Sequence, residues 1–307
     1  MKSIIGHRNP DTDTICSAIA YQNLLSAQNI EAKAFALGEM NNETKFVLEK
    51  FGVAFPEVVS ELPHDSEIVL VDHNEEGQSI ENFNNLNVVE IIDHHKANLQ
   101  TDKPIRIHIE PLGSSCSIIA KKFKAKNIEI PQAMSQILIA GIISDTLHFR
   151  SPTTTETDKQ LVIELNKIAQ IEKLESFSMN MFDAKSDVKD LSTEELVRLD
   201  YKEFDFSGHK FGVGMMETTN KNFGLKRKEE ILEILKKIKK SDGMEAVYFS
   251  VVDILKEEAY TLCSDEEAEK LFIGIFSPEN QEGIFYNKGI VSRKKQIIPE
   301  FENYFNK

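Results

Sequence analysis

Three short apolar runs in the first hundred residues stop on the same kind of step. Ser3-Ile4-Ile5-Gly6 gives way to His7, Ile68-Val69-Leu70-Val71 to Asp72-His73-Asn74, and Val88-Val89-Glu90-Ile91-Ile92 to Asp93-His94-His95. Apolar runs this short, bounded by turn residues, read as buried parallel strands. Parallel strands align equivalent ends, so the recurrence predicts one shared site. After the first run Asn9-Pro10 breaks regular structure, and Asp11 to Asp13 would cap the periodic segment Ile15, Ala18, Ile19, Leu24. The acids then lie between a strand's carboxyl end and a helix's amino end, where open α/β sheets bind ligands. A fourth apolar segment, Gly141-Ile142-Ile143-Ser144-Asp145-Thr146, also closes on an aspartate.

The convergent set is His7, Asp11, Asp13, Asp72, Asp93, His94, His95 and Asp145. So many carboxylates in one place repel each other and resist desolvation, and bound cations are the usual remedy. Taken singly, an aspartate ending a strand is more often a turn or cap residue; recurrence at three strand ends reverses those odds. Two metals about 3.5 to 4 Å apart can share a bridging hydroxide, the nucleophile for in-line attack on phosphorus. Mixed imidazole and carboxylate donors suit manganese or cobalt better than magnesium, and are compatible with zinc.

A chain of 307 residues with 41% hydrophobic content buries a sizeable core and favours two domains over one. A net charge of -14 argues against a general nucleic-acid binder, so any basic substrate site must be local. Cys16, Cys116 and Cys263 form no metal-binding pair and read as buried thiols. No signal segment or membrane-spanning run is visible, which gives a cytoplasmic expectation.

Strands expected near residues 3 to 6, 32 to 37, 68 to 71, 88 to 92 and 105 to 109 alternate with helices, which implies a doubly wound, mainly parallel α/β domain. Gly113-Ser114-Ser115 and Ser151-Pro152-Thr153-Thr154-Thr155 each open a helix, with capping favoured over an anion site. Asp183 to Asp190 is charged and poor in apolar residues, and reads as a linker before a capping box at Ser192-Thr193-Glu194-Glu195. The domains are placed at 1–187 and 193–307, the second a smaller mixed α/β unit. There the runs Phe204 to Phe206, Phe211 to Met216 and Ala246 to Ile254 read as strands, and a lysine-rich segment from about 226 to 240 as an amphipathic helix with a solvated face. Ser292-Arg293-Lys294-Lys295-Gln296, ahead of a helix begun by Ile298-Pro299, is a candidate anion clamp, or else a charged turn.

Together His7-Arg8-Asn9-Pro10-Asp11-Thr12-Asp13, Val71-Asp72-His73-Asn74, Asp93-His94-His95, Ser144-Asp145-Thr146 and Ser292-Arg293-Lys294-Lys295 resemble the family II, manganese-dependent inorganic pyrophosphatases of the DHH phosphoesterase superfamily. The likeness runs from end to end. It implies hydrolysis of pyrophosphate to two phosphates by a metal-bridging hydroxide, in a site between the domains. One metal would take His7, Asp11, Asp72 and Asp145, the other Asp13, Asp72, His94 and Asp145, with Asp72 and Asp145 bridging. By the same resemblance His95, Lys202 in Asp200-Tyr201-Lys202-Glu203-Phe204, Arg293 and Lys294 bind pyrophosphate oxygens, His95 protonates the leaving phosphate, and Asp93 orients a histidine. It further implies two Mn2+ ions, with Co2+ able to substitute and Mg2+ accompanying the substrate, and a homodimer through the first domain. His73 is expected to hydrogen-bond near the site rather than bind metal.

Two other readings share parts of this pattern. A DHH exonuclease or exopolyphosphatase would keep the first domain, yet the second lacks a glycine- and histidine-rich motif and the acidity disfavours a nucleic-acid track. A metal-sensing or scaffold protein would be expected to lack a basic clamp or some ligands.

Overall fold

The structure is a computed structural model, describing every residue except 102, 187, 189, 190, 306 and 307. The chain divides into two compact units, Met1–Lys185 and Ser186–Lys307. No helix among the described residues is long and apolar enough to cross a membrane.

The first unit is built on a six-stranded sheet. Its strands β1 (Lys2–Ile5), β2 (Ala32–Ala36), β3 (Glu57–Val58), β4 (Glu67–Val71), β5 (Asn87–Asp93) and β6 (Arg106–Ile109) pair in the order β3-β2-β1-β4-β5-β6, all parallel. Five of them fall on the expected runs; β3 is a two-residue addition. Winding runs one way from β1 to β3 and the other way from β4 to β6, so β1 and β4 flank the topological switch point. Ile5, Leu70 and Ile91 stand side by side on one face and pack with Phe35, Leu62, Ile68 and Ile80.

Helices α1 (Thr12–Ala27) and α3 (Ser115–Ala125) pack against the sheet, joined by α2 (Asn42–Phe51), α4 (Gln132–Asp145), α5 (Glu156–Ala169) and α6 (Leu174–Lys185). The fourth apolar segment is therefore the end of helix α4. It is packed by α1, α2, α3, α5 and α6, so ten of its residues are buried and its sequence shows no amphipathic face. Thr155 and Asp158 form a capping box at the start of α5, and Ser114 caps α3.

The second unit carries α7 (Thr193–Arg198), β7 (Tyr201–Phe206), β8 (His209–Thr218), α8 (Asn222–Leu225), α9 (Lys228–Ser241), β9 (Ala246–Asp253), β10 (Glu258–Cys263), α10 (Glu266–Phe276), β11 (Glu279–Gln281), β12 (Ile284–Lys288) and α11 (Ile298–Phe305). Its mixed sheet runs β11-β12-β10-β9-β8-β7, antiparallel except for β8 with β9. An aromatic cluster of Phe206, Phe211, Tyr248, Phe272, Phe285 and Phe301 forms one core, and Leu196, Val197, Ile231, Leu235, Val247 and Phe249 form another. On α9, Lys236 and Lys237 pair with Glu233 and Glu194, and Lys239 with Asp265, as a solvated ionic face.

The boundary between the two units falls within the stretch 183–190 expected as a linker, after Lys185. Asp183 to Lys185 are the last turn of α6, while residues 187, 189 and 190 lie outside the described residues. Arg227 donates to the carbonyls of Leu191 and Val188, and Ser186 exchanges hydrogen bonds with Thr219, so the described remainder is fastened to the second unit. The capping box at Ser192 and Glu195 forms as expected.

Candidate metal centre

Because β1, β4 and β5 are adjacent and parallel, the segments after their carboxyl ends converge at the switch point. His7 Nε2 lies 3.5 Å from both Asp11 Oδ2 and Asp72 Oδ2. His94 Nε2 lies 3.3 Å from Asp72 Oδ1 and 3.3 Å from Asp145 Oδ2, the latter arriving from the end of α4. Among the described residues, donor atoms within 4.8 Å of one another form three groups: His7, Asp11 and Asp72; Asp13, Asp72, His94 and Asp145; and Asp72, His94 and His95. Asp72 belongs to all three, and Asp145 to the second alone. A cavity of about 220 Å³ is lined by His7, Asp11, Asp72, His73, His95 and Asp145 among others.

The local structure fixes these groups from behind. Asp72 takes a left-handed backbone, φ 63°, as the chain leaves β4, a conformation that aspartate tolerates better than most residues. Its two oxygens accept hydrogen bonds from Thr14 Oγ1 at 2.5 Å and Ser115 Oγ at 3.0 Å. Asp11 is the N-cap of α1, accepting from the Thr14 amide. Asp13 is fully buried and accepts from the Ser115 and Cys116 amides at 2.7 and 3.0 Å and from Ser114 Oγ at 2.6 Å. The anion at the amino end of α3 is thus this carboxylate itself, and Ser114 caps the helix while holding Asp13.

His94, His95 and His73 are each held through Nδ1. His94 Nδ1 contacts Leu112 O at 3.0 Å, which leaves Nε2, buried and without a hydrogen-bond partner among the described residues, facing Asp72 and Asp145. Asp93 Oδ1 receives the amides of His94 and His95 and the Nδ1 of His95 at 2.9 Å, and Asn74 Nδ2 donates to Asp93 Oδ2 at 2.5 Å. Asp93 therefore orients His95. His73 Nδ1 contacts Val71 O at 3.0 Å and its Nε2 is buried without a partner.

Electrostatics show what the cluster lacks. Burial and the Asp72 charge beside it push Asp13 up to about 7, and burial with the charges of Asp13, Asp72 and Asp11 pushes Asp145 well above the carboxylate range. Against the cost of burial, Asp145 and Asp72 raise His94 to about 12, and Asp11 and Asp72 raise His7 to about 10. Asp72, also buried, is held far below its ordinary value by His7 and His94. The cluster is short of positive charge, which divalent cations supply to donors of the type present here.

Lys202, Arg293 and Lys294 lie in the second unit. Arg293, in a π-type turn over Arg293–Ile297, is nearly buried; its Nη1 donates to the carbonyls of Asp200 and Val213 and its Nη2 to Asp200 Oδ1 at 2.6 Å. Val213 is the register partner of Lys202, so the guanidinium sits at the rung that carries Lys202. Lys202 and Lys294 are exposed. Thr14, Ser114, Ser115 and Asn74 support the cluster; from sequence Ser114 and Ser115 read as the opening of a helix, while Thr14 lies one residue from Asp13 and Asn74 two from Asp72.

Fold and donor set define an α/β protein with a candidate divalent-metal centre at the switch point of a parallel sheet. Residues 3–142 match the DHH family, N-terminal domain, and residues 179–304 the DHHA2 domain. The manganese-dependent inorganic pyrophosphatase of Methanothrix thermoacetophila is 39% identical, over 99% of this chain and 98% of its own length. That of Methanocaldococcus jannaschii is 37% identical over 100% of both. A crystal structure from Methanococcus jannaschii, assigned to family II of the inorganic pyrophosphatases, superposes with a TM-score of 0.64 at 36% identity, covering 100% of both chains. The chain belongs to the family II, manganese-dependent inorganic pyrophosphatases, which are hydrolases.

Proposed function

We propose that this protein hydrolyses pyrophosphate to two phosphates with two manganese ions held by its first unit. The observation that carries the reading is the His94 Nε2 atom, buried, unpartnered and 3.3 Å from carboxylate oxygens of both Asp72 and Asp145. One ion would be held by His7, Asp11, Asp72 and Asp145, the other by Asp13, Asp72, His94 and Asp145, so that Asp72 and Asp145 serve both. Bound there, the pair would supply Lewis acidity towards phosphoryl oxygens and activate water at neutral pH. Co2+ would occupy the same donors, and Mg2+ would arrive with the substrate.

The remaining work belongs to side chains. His95, its Nδ1 engaged by Asp93, keeps Nε2 for the leaving phosphate, and that hydrogen bond raises its affinity for a proton against the cost of burial. Lys202, Arg293 and Lys294 would bind pyrophosphate oxygens. The three hydrogen bonds to Arg293 use three of the five N–H donors of a guanidinium, leaving Nε and one Nη2 hydrogen for an anion. Residues 1–187 would thus act as the metal-binding catalytic domain and 193–307 as the substrate-binding one.

Exposed Ile107 on the edge strand β6 supports a homodimer through the first unit. We also assign the protein to the cytoplasm, in keeping with three buried, unpaired cysteines. The test is phosphate release from pyrophosphate, tripolyphosphate and a dinucleotide after chelation and readdition of manganese. Preference for pyrophosphate, lost on chelation and restored by manganese, is expected. Dinucleotide cleavage without pyrophosphate hydrolysis would overturn the assignment.

A further inference from the structure

Behind the ligand cluster lies a carboxylate that none of the ligand groups includes. Glu43, in the first turn of α2, is fully buried, and its Oε2 accepts from Thr12 Oγ1 at 2.9 Å and from Ser144 Oγ at 2.8 Å. Thr12 lies between Asp11 and Asp13, and Ser144 directly precedes Asp145. Lys185 Nζ stands 3.6 Å from the same oxygen, while Oε1 is buried without a hydrogen-bond partner among the described residues. Burying an acid with one oxygen unsatisfied opposes folding, and an apolar side chain would fill the space at lower cost. A role in stability alone therefore does not account for it.

We propose that Glu43 is a positioning residue for the metal centre. By receiving Thr12 and Ser144 on one oxygen it fixes the spacing between the amino end of α1, which carries Asp11 and Asp13, and the carboxyl end of α4, which carries Asp145. Those two segments come from distant parts of the chain, and one carboxylate bonded to both sets how closely they approach. The proposal rests on the two-ion reading above, and it adds a residue that touches neither metal nor substrate.

The test is manganese affinity, measured by equilibrium dialysis on the full-length protein, with thermal unfolding of the metal-free protein alongside. Glu43→Gln keeps the volume and one acceptor but removes the charge; Ser144→Ala and Thr12→Val each remove one of the two hydroxyls. Supporting hydrogen bonds to metal ligands are worth about 10- to 100-fold in affinity. A loss of that order is expected for Glu43→Gln, with smaller losses for the hydroxyl variants, and KM for pyrophosphate at saturating manganese is expected to stay unchanged. Adding Ser144→Ala to Glu43→Gln should weaken binding by less than the product of the two single losses, because both act through one contact. Manganese affinities within about twofold of wild type, below the cost of a supporting contact, in every variant that folds would overturn the proposal, whatever the melting temperatures do. If Glu43→Gln does not fold, Ser144→Ala and Thr12→Val decide by themselves. Absence of manganese binding in the wild type is a separate result, which would remove the two-ion reading and this role with it.

Discussion

Replacing Asp72 with asparagine removes the one carboxylate common to all three donor groups while changing little else. Asparagine has the same shape and enters the left-handed backbone at φ 63° as readily as aspartate. The Thr14 and Ser115 hydroxyls, 2.5 and 3.0 Å from its oxygens, can rotate to pair with an amide, so the fold is expected to persist. What disappears is a full negative charge on two equivalent oxygens, 3.5 Å from His7 Nε2 and 3.3 Å from His94 Nε2. Metal Lewis acidity is worth several kcal/mol to a transition state. If about 4 kcal/mol is forfeited, turnover falls about a thousandfold at roughly 1.36 kcal/mol per decade. The assay is phosphate release from pyrophosphate at saturating manganese, with circular dichroism and manganese content measured on the same preparation. A folded Asp72→Asn protein that turns over within about tenfold of wild type would refute the reasoning, since so small a loss corresponds to a single decade.

His95→Gln is expected to lower kcat by about 100-fold or more, the usual worth of a general acid, with manganese content unchanged; loss of one ion instead would make His95 a ligand. Arg293→Ala is expected to lower stability by about 2 to 4 kcal/mol as well as activity, because it strips donors from the Asp200 and Val213 carbonyls, whereas exposed Lys294→Ala should leave the melting temperature unchanged; equal melting for both would refute this reading of Arg293. A Cβ at Gly141 would stand 2.4 Å from Cys116 Sγ and 2.9 Å from Asp13 Oδ1, so Gly141→Ala should lower both thermal stability and manganese affinity; an unchanged affinity would show that Asp13 is not a ligand.

The strand-end steps were legible because a parallel sheet converts repeated sequence pattern into proximity: His7, Asp72 and His94 needed only adjacency of β1, β4 and β5. Asp145 was legible as an acid ending an apolar segment, but periodicity gave no element type, because α4 is buried on all sides and presents no polar face. Glu43 carried no signal, since in sequence an acid in a helix's first turn is an ordinary surface residue, and only packing of α1, α2 and α4 closes it off. Arg293 and Asp200 lie 93 residues apart, and one-dimensional pattern cannot show that an apparent anion clamp already holds the start of β7. The charge of Asp183 and Lys185 reads as linker, yet these residues extend α6, whose buried face ends at Met181 and Phe182, and the two units divide just after them. Strand β11, with all three residues polar and exposed, offers no alternation to read.

Two ions sharing Asp72 and Asp145 are the core of the proposed mechanism, and manganese stoichiometry measured against rate is its sharpest test. Chelated protein is titrated with Mn2+ while bound metal, by dialysis, and phosphate release from pyrophosphate are followed on the same samples. Two ions bound per chain are expected, with full activity only when both are present. Full activity with a single ion per chain, or hydrolysis that survives complete chelation, would contradict the proposed mechanism.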